Sequence, residues 1–122
     1  MSIRAALHDV AEVWRSVGEF DVTEFTPGSV NPPSVFAGAL ESMETDEQDG
    51  SRTLTFPWWV VVTAGQPNQD ELYDAIDALF SAMDDPDTGL ENARIASVDS
   101  VGVVAVGGVD YEGARLMVEV FL

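Results

Sequence analysis

The sequence predicts an α+β fold, in which two main helices pack on a mixed, mostly antiparallel sheet of four to five strands that ends in a C-terminal β-hairpin. Three observations predict it. Apolar residues recur at helical spacing in 3–17 and 72–83. Apolar and polar residues alternate in 53–63 and 115–122. Gly107-Gly108 has the composition of a two-residue hairpin turn. With 122 residues, the chain is expected to form a single domain over 1–122.

The first helix is expected to start after Ser2, a residue type that caps helices, and to stop at Gly18. Its apolar stripe comprises Ile3, Leu7, Val10, Trp14 and Val17. His8 is the only histidine and falls on the polar face. A solvated side chain is therefore expected there, and not a catalytic or metal-binding one.

Two short strands are expected next, at 19–25 and 34–40. The acid-rich segment that follows, 41–51, has no apolar period, and we expect it to be a mobile loop. Its acids are Glu41, Glu44, Asp46, Glu47 and Asp49. Their spacing does not fit the calcium loop of an EF-hand, so a solvated acidic loop is the better interpretation.

The longest strand is expected at 52–63, and Pro57 indicates that its first half is an edge or a bulged segment. Leu54, Phe56, Trp58, Val60 and Val62 share one face. Trp59 lies on the other face, where it is a candidate for a contact between subunits. The alternative is that Trp59 packs beneath a helix.

The second helix is expected to begin at Asn68, with Glu71 completing a capping box. Its apolar stripe comprises Leu72, Ile76, Leu79, Phe80 and Met83. Three aspartates follow at 84–87, but Pro86 and Gly89 favour an ordinary junction between helix and loop over a cation site.

The last third of the chain, 94–122, has the pattern of two strands around Gly107-Gly108. Glu112-Gly113 is typical of a bulge. From residue 115 onward the alternation predicts that Leu116, Val118, Val120 and Leu122 face the core. Arg115, Met117, Glu119 and Phe121 then form the outer face.

The charge of the chain argues against several classes of partner. There are 22 acidic residues, five arginines and no lysine, which gives a net charge of −17. Nucleic-acid binding and attachment to anionic membranes both need cationic contacts. Solubility, a high-salt environment and a surface that repels DNA remain open.

The sequence carries no motif for catalysis. Cysteine is absent, a single histidine is present, and no glycine-rich loop joins a strand to a helix. We therefore expect no enzyme, no cofactor and no metal. The apolar runs are too short to span a membrane and no signal peptide is apparent, so a soluble intracellular protein is expected.

Two stretches resemble a family of small tail proteins. Val30-Asn-Pro-Pro-Ser-Val-Phe36 is similar to a short motif of these proteins in long-tailed phages of actinobacteria. Val106-Gly-Gly-Val-Asp-Tyr-Glu-Gly-Ala114, continued by Val118-Glu-Val120, is similar to their C-terminal signature. Together with the positions of the two helices, the chain resembles a tail terminator, also called a tail-completion or head–tail joining protein.

The resemblance implies a virion protein without catalytic residues, which assembles in the host cytoplasm. It implies a ring of six subunits at the head-proximal end of the tail tube, which stops tube polymerisation and docks the head connector. DNA would pass through the ring without specific binding. The candidate lumen acids are then Glu41, Glu44, Asp46, Glu47 and Asp49. The candidate subunit interface comprises Trp59, Arg115, Met117, Glu119 and Phe121.

Other functions compatible with the sequence are a different head–tail connector subunit, a tail-tube subunit and an acidic protein that mimics DNA to inhibit an enzyme. A tube subunit would polymerise without limit, whereas a terminator forms closed rings. A DNA mimic requires acids at phosphate-like spacing on one rigid face, which a mobile acidic loop does not provide.

Overall fold

The computed structural model describes residues 2–64 and 69–122. Within these residues, two helices and six strands follow one another. In chain order they are α1 (Ile3–Arg15), β1 (Asp21–Thr23), β2 (Ser34–Ala37), β3 (Ser42–Thr45), β4 (Arg52–Ala64), α2 (Gln69–Asp84), β5 (Ala93–Val106) and β6 (Val109–Phe121).

The strands form one mixed sheet in the order β1-β2-β4-β6-β5, and β3 pairs with the N-terminal half of β4. Every pair is antiparallel except β1 with β2. The predicted α+β class, the predominantly antiparallel sheet and the C-terminal hairpin are therefore confirmed. The sheet has six strands instead of the expected four to five.

The segment predicted as an acidic loop is instead mostly a β-hairpin. Residues 42–45 form β3, which pairs with β4 from Ser42↔Thr55 to Thr45↔Arg52. The prediction of a loop over 41–51 was wrong here because all four residues of β3 are exposed. A strand with both faces in water carries no apolar alternation that could reveal it.

Both helices cover the same face of the sheet. The alternation in β4 and β6 is confirmed, since Leu54, Phe56, Trp58, Val60 and Val62 are buried, as are Leu116, Val118 and Val120. These side chains pack with the buried residues of both helices in one core. Leu122, the last residue of the predicted core face, is partly buried.

α1 has the predicted start but a wider buried face. The backbone N–H of Ala5 donates to the Ser2 hydroxyl at 3.1 Å, as the capping prediction requires. The buried residues of α1 are Ala6, Val10, Ala11, Val13 and Trp14. Ile3, at the N-terminal end of the predicted apolar stripe, is 38% exposed. The helix therefore packs through a broad face that includes two small alanines.

α2 begins at Gln69, and its predicted cap Asn68 lies outside the described residues. Leu72, Leu79 and Met83 of the predicted stripe are buried. Ala75 and Ala82 complete the buried face, while Ile76 is only partly buried.

Pro57 lies in a central strand and the register of β4 with β6 does not shift there, so the prediction of an edge or a bulged segment was wrong. β4 pairs with β6 throughout this region, including Pro57↔Met117. The Pro57 carbonyl accepts from the N–H of Gly38 at 2.8 Å, on the side of β4 where β2 ends and β3 begins. In a strand, the N and C=O of one residue face the same neighbour. The missing N–H of Pro57 therefore faces the gap between β2 and β3.

Gly113 in β6 is flanked by a bulge on each side. The register with β4 shifts between Val61 and Thr63, and the register with β5 shifts between Asp99 and Gly102. The bulges thus lie in the neighbouring strands, while β6 itself runs unbroken past the predicted bulge at Glu112-Gly113. A Cβ at Gly113 would overlap the carbonyl oxygen of Val60.

Gly113→Ala is expected to destabilise the fold by about 1–3 kcal/mol, because the new methyl group must displace the β4 backbone. Gly28→Ala is the matched control, since a Cβ there meets no atom within 4 Å. Chemical denaturation of both variants measures the difference. Equal stability of the two would contradict the close approach of β4 and β6.

Val118→Asp is expected to prevent folding, because an unpaired charge at this fully buried position costs several kcal/mol. Val101→Asp places the same charge at a valine that is 50% exposed, and should fold. Thermal melts followed by circular dichroism distinguish the two. A cooperative melt of Val118→Asp would show that β6 does not form the core.

Candidate interaction surface

The face of the sheet opposite the helices carries all five residues predicted for the subunit interface. The pairing of β4 with β6 sets Trp59 beside Arg115, Pro57 beside Met117 and Thr53 beside Phe121. Directly paired residues share a face of the sheet. We call this the helix-free face; its central side chains are Thr53, Thr55, Trp59, Arg115, Met117, Glu119 and Phe121. Trp59 does not pack beneath a helix, so the alternative interpretation of this residue was wrong.

Arg115 connects an aromatic ring to a carboxylate at the centre of the helix-free face. Its guanidinium donates to both carboxylate oxygens of Asp99, at 2.6 and 3.0 Å, and lies 5.9 Å from the centre of the Trp59 ring. The hydrogen bond with Arg115 lowers the pKa of Asp99, and the same bond raises the pKa of Arg115. The bidentate ion pair and the contact between the guanidinium and the ring restrict the side chains of Asp99, Arg115 and Trp59 to one arrangement.

A second group of the same kind lies nearer the end of β6. Arg94 donates to Glu119 at 3.1 Å and lies 5.8 Å from the centre of the Phe121 ring, which is 41% exposed. Neither Arg94 nor Asp99 was predicted as part of this surface. They are the charged residues of an otherwise uncharged strand, which is a weak signal in the sequence. Their partners could not be identified because they depend on the register of β5 with β6.

A smaller apolar cluster occupies the other end of the helix-free face. It comprises Phe36, Val61, Val104, Val106 and Tyr111, with Val30 and Trp59 packed against it. The segment around Pro27 covers one side of this cluster, and a groove of about 420 Å³ remains between that segment and β5. Phe36 and Trp59 line the groove. The helix-free face therefore has an apolar groove at one end and the two arginine groups over the rest of its length.

The acidic arm, which we define as residues 41–51, contains acids with two different roles. Asp46 accepts from the backbone N–H groups of Gln48 and Asp49 at 2.8 and 3.3 Å. Asp49 accepts from the N–H of Ser51 at 2.8 Å, and this hydrogen bond lowers the pKa of Asp49. These two aspartates form the turn between β3 and β4, so a structural role accounts for their presence.

Two other acids of the arm are directed to the helix-free face or its border. Glu44 pairs with Thr53, whose neighbour on the far side is Phe121. The charge of Glu41 contributes to the raised pKa of Arg115, behind the larger effect of Asp99. The arm and the predicted interface are thus neighbouring surfaces.

His8 lies on the surface in a polar group with Glu24 and Arg15. Its Nδ1 lies 3.3 Å from Glu24, which Arg15 also approaches at 3.0 Å. Partial burial raises the pKa of Glu24, but hydrogen bonds from Arg15 and His8 outweigh it and lower the pKa overall. The group ties α1 to the segment after β1.

Within residues 2–64 and 69–122, no three side chains of the types that bind metals come together as a metal site requires. Neither helix of the described part of the chain is long and apolar enough to cross a membrane.

Comparison with known proteins gives no further identification. No protein-family model matches the chain, and a search of curated proteins finds no similar sequence.

Asp99→Asn should lower stability near neutral pH, because it removes the charge that Arg115 binds. The folded-state pKa of Asp99 lies below its ordinary value of 3.8, so the ion pair stabilises the fold above that pH. As the pH falls below 3.8 the unfolded chain binds the proton first, and the wild type loses this advantage. The difference between wild type and variant should therefore shrink in acid.

Urea denaturation from about pH 7 to about pH 2.5 measures this difference across the transition. Asp74→Asn, on the exposed side of α2, removes the same charge from the surface and serves as the control. A deficit for Asp99→Asn that stays constant over the whole range would refute the assignment of the ion pair.

Proposed function

We propose that the protein is a structural virion protein, a tail terminator, that assembles with itself into a ring of six subunits at the head-proximal end of a phage tail tube. The ring ends tube polymerisation, joins the tail to the head connector and lets DNA pass. The observation that supports this best is the helix-free face, on which the five predicted interface residues lie together.

Charge supports self-association through this face. Because the chain has a net charge of −17, most of its surface repels a second copy. On the helix-free face, Arg94 neutralises Glu119 and Arg115 neutralises Asp99. These two ion pairs reduce the repulsion that a second copy meets there, and the aromatic rings of Trp59 and Phe121 offer apolar contact area.

The acidic arm suits the wall of a channel for DNA. Its free carboxylates would repel phosphate groups within a Debye length of roughly 8 Å at physiological salt. The turn formed by Asp46 and Asp49 would hold the arm in a defined shape. An acidic wall keeps DNA from adhering during passage.

Native mass spectrometry of the purified chain, and electron microscopy of the chain with its tail-tube protein, test the proposal. Closed rings, and tubes capped at one end, are expected. Long fibres of the chain alone would instead identify a tube subunit. A strict monomer that neither forms rings nor caps tubes would overturn the proposal.

Phe121→Ser tests whether the helix-free face makes the contact. This ring is 41% exposed, so the variant should fold yet form fewer rings. Phe25→Ser is the matched control, because Phe25 is 66% exposed and lies beside Ile3 and Leu7 of α1, away from the helix-free face. Equal loss of rings in both variants would exclude this face as the interface.

A further inference from the structure

The outer edge of β5 is not paired with another strand in the described structure. β5 is the last strand of the sheet. Edge strands of soluble proteins are commonly protected by charged residues or proline. Residues 100–109 contain neither, although the chain as a whole carries 22 acids.

The hairpin geometry shows which backbone groups face outward. Gly107 and Gly108 have φ of 59° and 80°, as a type I′ turn requires, and Val106 pairs with Val109 across it. Hydrogen-bonded pairs alternate along an antiparallel ladder, so Val106 and Val104 bond to β6. The N–H and C=O groups of Val103 and Ala105 consequently point away from β6, toward the free edge.

The side chains at this edge are apolar and exposed. Val103 is 71% exposed and Val101 is 50% exposed. The bulge between Asp99 and Gly102 ends the regular part of the edge, so Gly102–Val106 is the segment able to accept another strand.

Charge selects a second copy of this chain as the partner. Residues 100–109 offer a basic partner no carboxylate for an ion pair, and an acidic copy meets no like charge between Ser100 and Val109. The other edges of the sheet are poorer partners for β5. β1 has three residues and begins with Asp21, and β3 has Glu44 within it and Glu41 and Asp46 beside it.

We propose that two copies of the chain pair antiparallel through β5 about a two-fold axis at Val104. Val103 of one copy then faces Ala105 of the other, and their outward backbone groups exchange hydrogen bonds on both sides of the axis. Val103 and Ala105 lie in one row of side chains that crosses both copies. The nearest acids in this row are Glu112 of the first copy and Asp110 of the second, which are three strand spacings apart, or roughly 14 Å. This exceeds the Debye length of roughly 8 Å, so their repulsion is screened.

This contact goes beyond the ring and does not depend on it. An isologous contact joins two copies and is then complete, whereas a ring requires a heterologous contact. The helix-free face and the β5 edge are therefore two separate contacts, and each can be removed without the other.

Sedimentation velocity over a range of concentrations tests the pairing. The Phe121→Ser variant is the parent in this test, because it weakens the contact that assembles the ring of subunits. Ala105→Pro removes one outward N–H and leaves the bonds to β6 intact, and should raise the dimer dissociation constant at least about tenfold. Ala105→Thr retains the N–H and should pair like its parent. Val103→Glu should also abolish pairing, while Val109→Glu on the inner strand should not.

The salt dependence tests whether the two paired chains repel each other. Pairing of two acidic chains should strengthen as salt rises to about 0.5 M, because screening reduces their repulsion. A monomer at every concentration and salt level, or equal pairing in Ala105→Pro and Ala105→Thr with both folded, would overturn the proposal. If Ala105→Pro does not fold, equal pairing in Val103→Glu and Val109→Glu would overturn the proposal instead. Loss of rings with pairing retained would refute only the ring.

Discussion

The contact between Trp14 and Trp58 holds the layers of the molecule together. Both rings are fully buried and meet edge to face, with centres 5.1 Å apart and planes at 83°. The Trp14 N–H also donates to the carbonyl of Leu79 in α2 at 3.2 Å. One side chain thus joins α1, α2 and the central strand β4. Such a ring pair contributes about 0.5–1.5 kcal/mol beyond the area it buries, and it lies in the core between the helices and the sheet.

Because both helices lie on that face, the opposite face of the sheet must be stabilised by its own side chains. It achieves this with two arginines, each held between a carboxylate and an aromatic ring. Ion pairs on an exposed surface contribute little individually. Their value here is that they fix long side chains in one arrangement and remove net charge locally. The two arginines thus offset two carboxylates on this face of a strongly acidic protein, which reduces the repulsion between copies.

Patterns with one buried face were predictable from the sequence, and features that depend on pairing were not. The alternation from Leu54 to Val62 predicted the core side of β4 because each buried residue is two positions from the next. β3 was missed because none of its residues is buried. For the candidate site, Trp59 and Arg115 were placed on the correct strands and face. Their partner Asp99 was not found, because two bulges set the register of β5 and no local pattern encodes them.

The positions of the three tryptophans give the molecule two separate optical reporters. Trp14 and Trp58 are fully buried in the core, so their fluorescence follows unfolding. Trp59 is next in sequence to Trp58, yet it lies on the opposite face of the sheet against Arg115. Any partner that covers the helix-free face changes the surroundings of Trp59 while the core pair stays as it was. Replacing Trp59 with phenylalanine therefore separates the emission that responds to assembly from the emission that responds to folding.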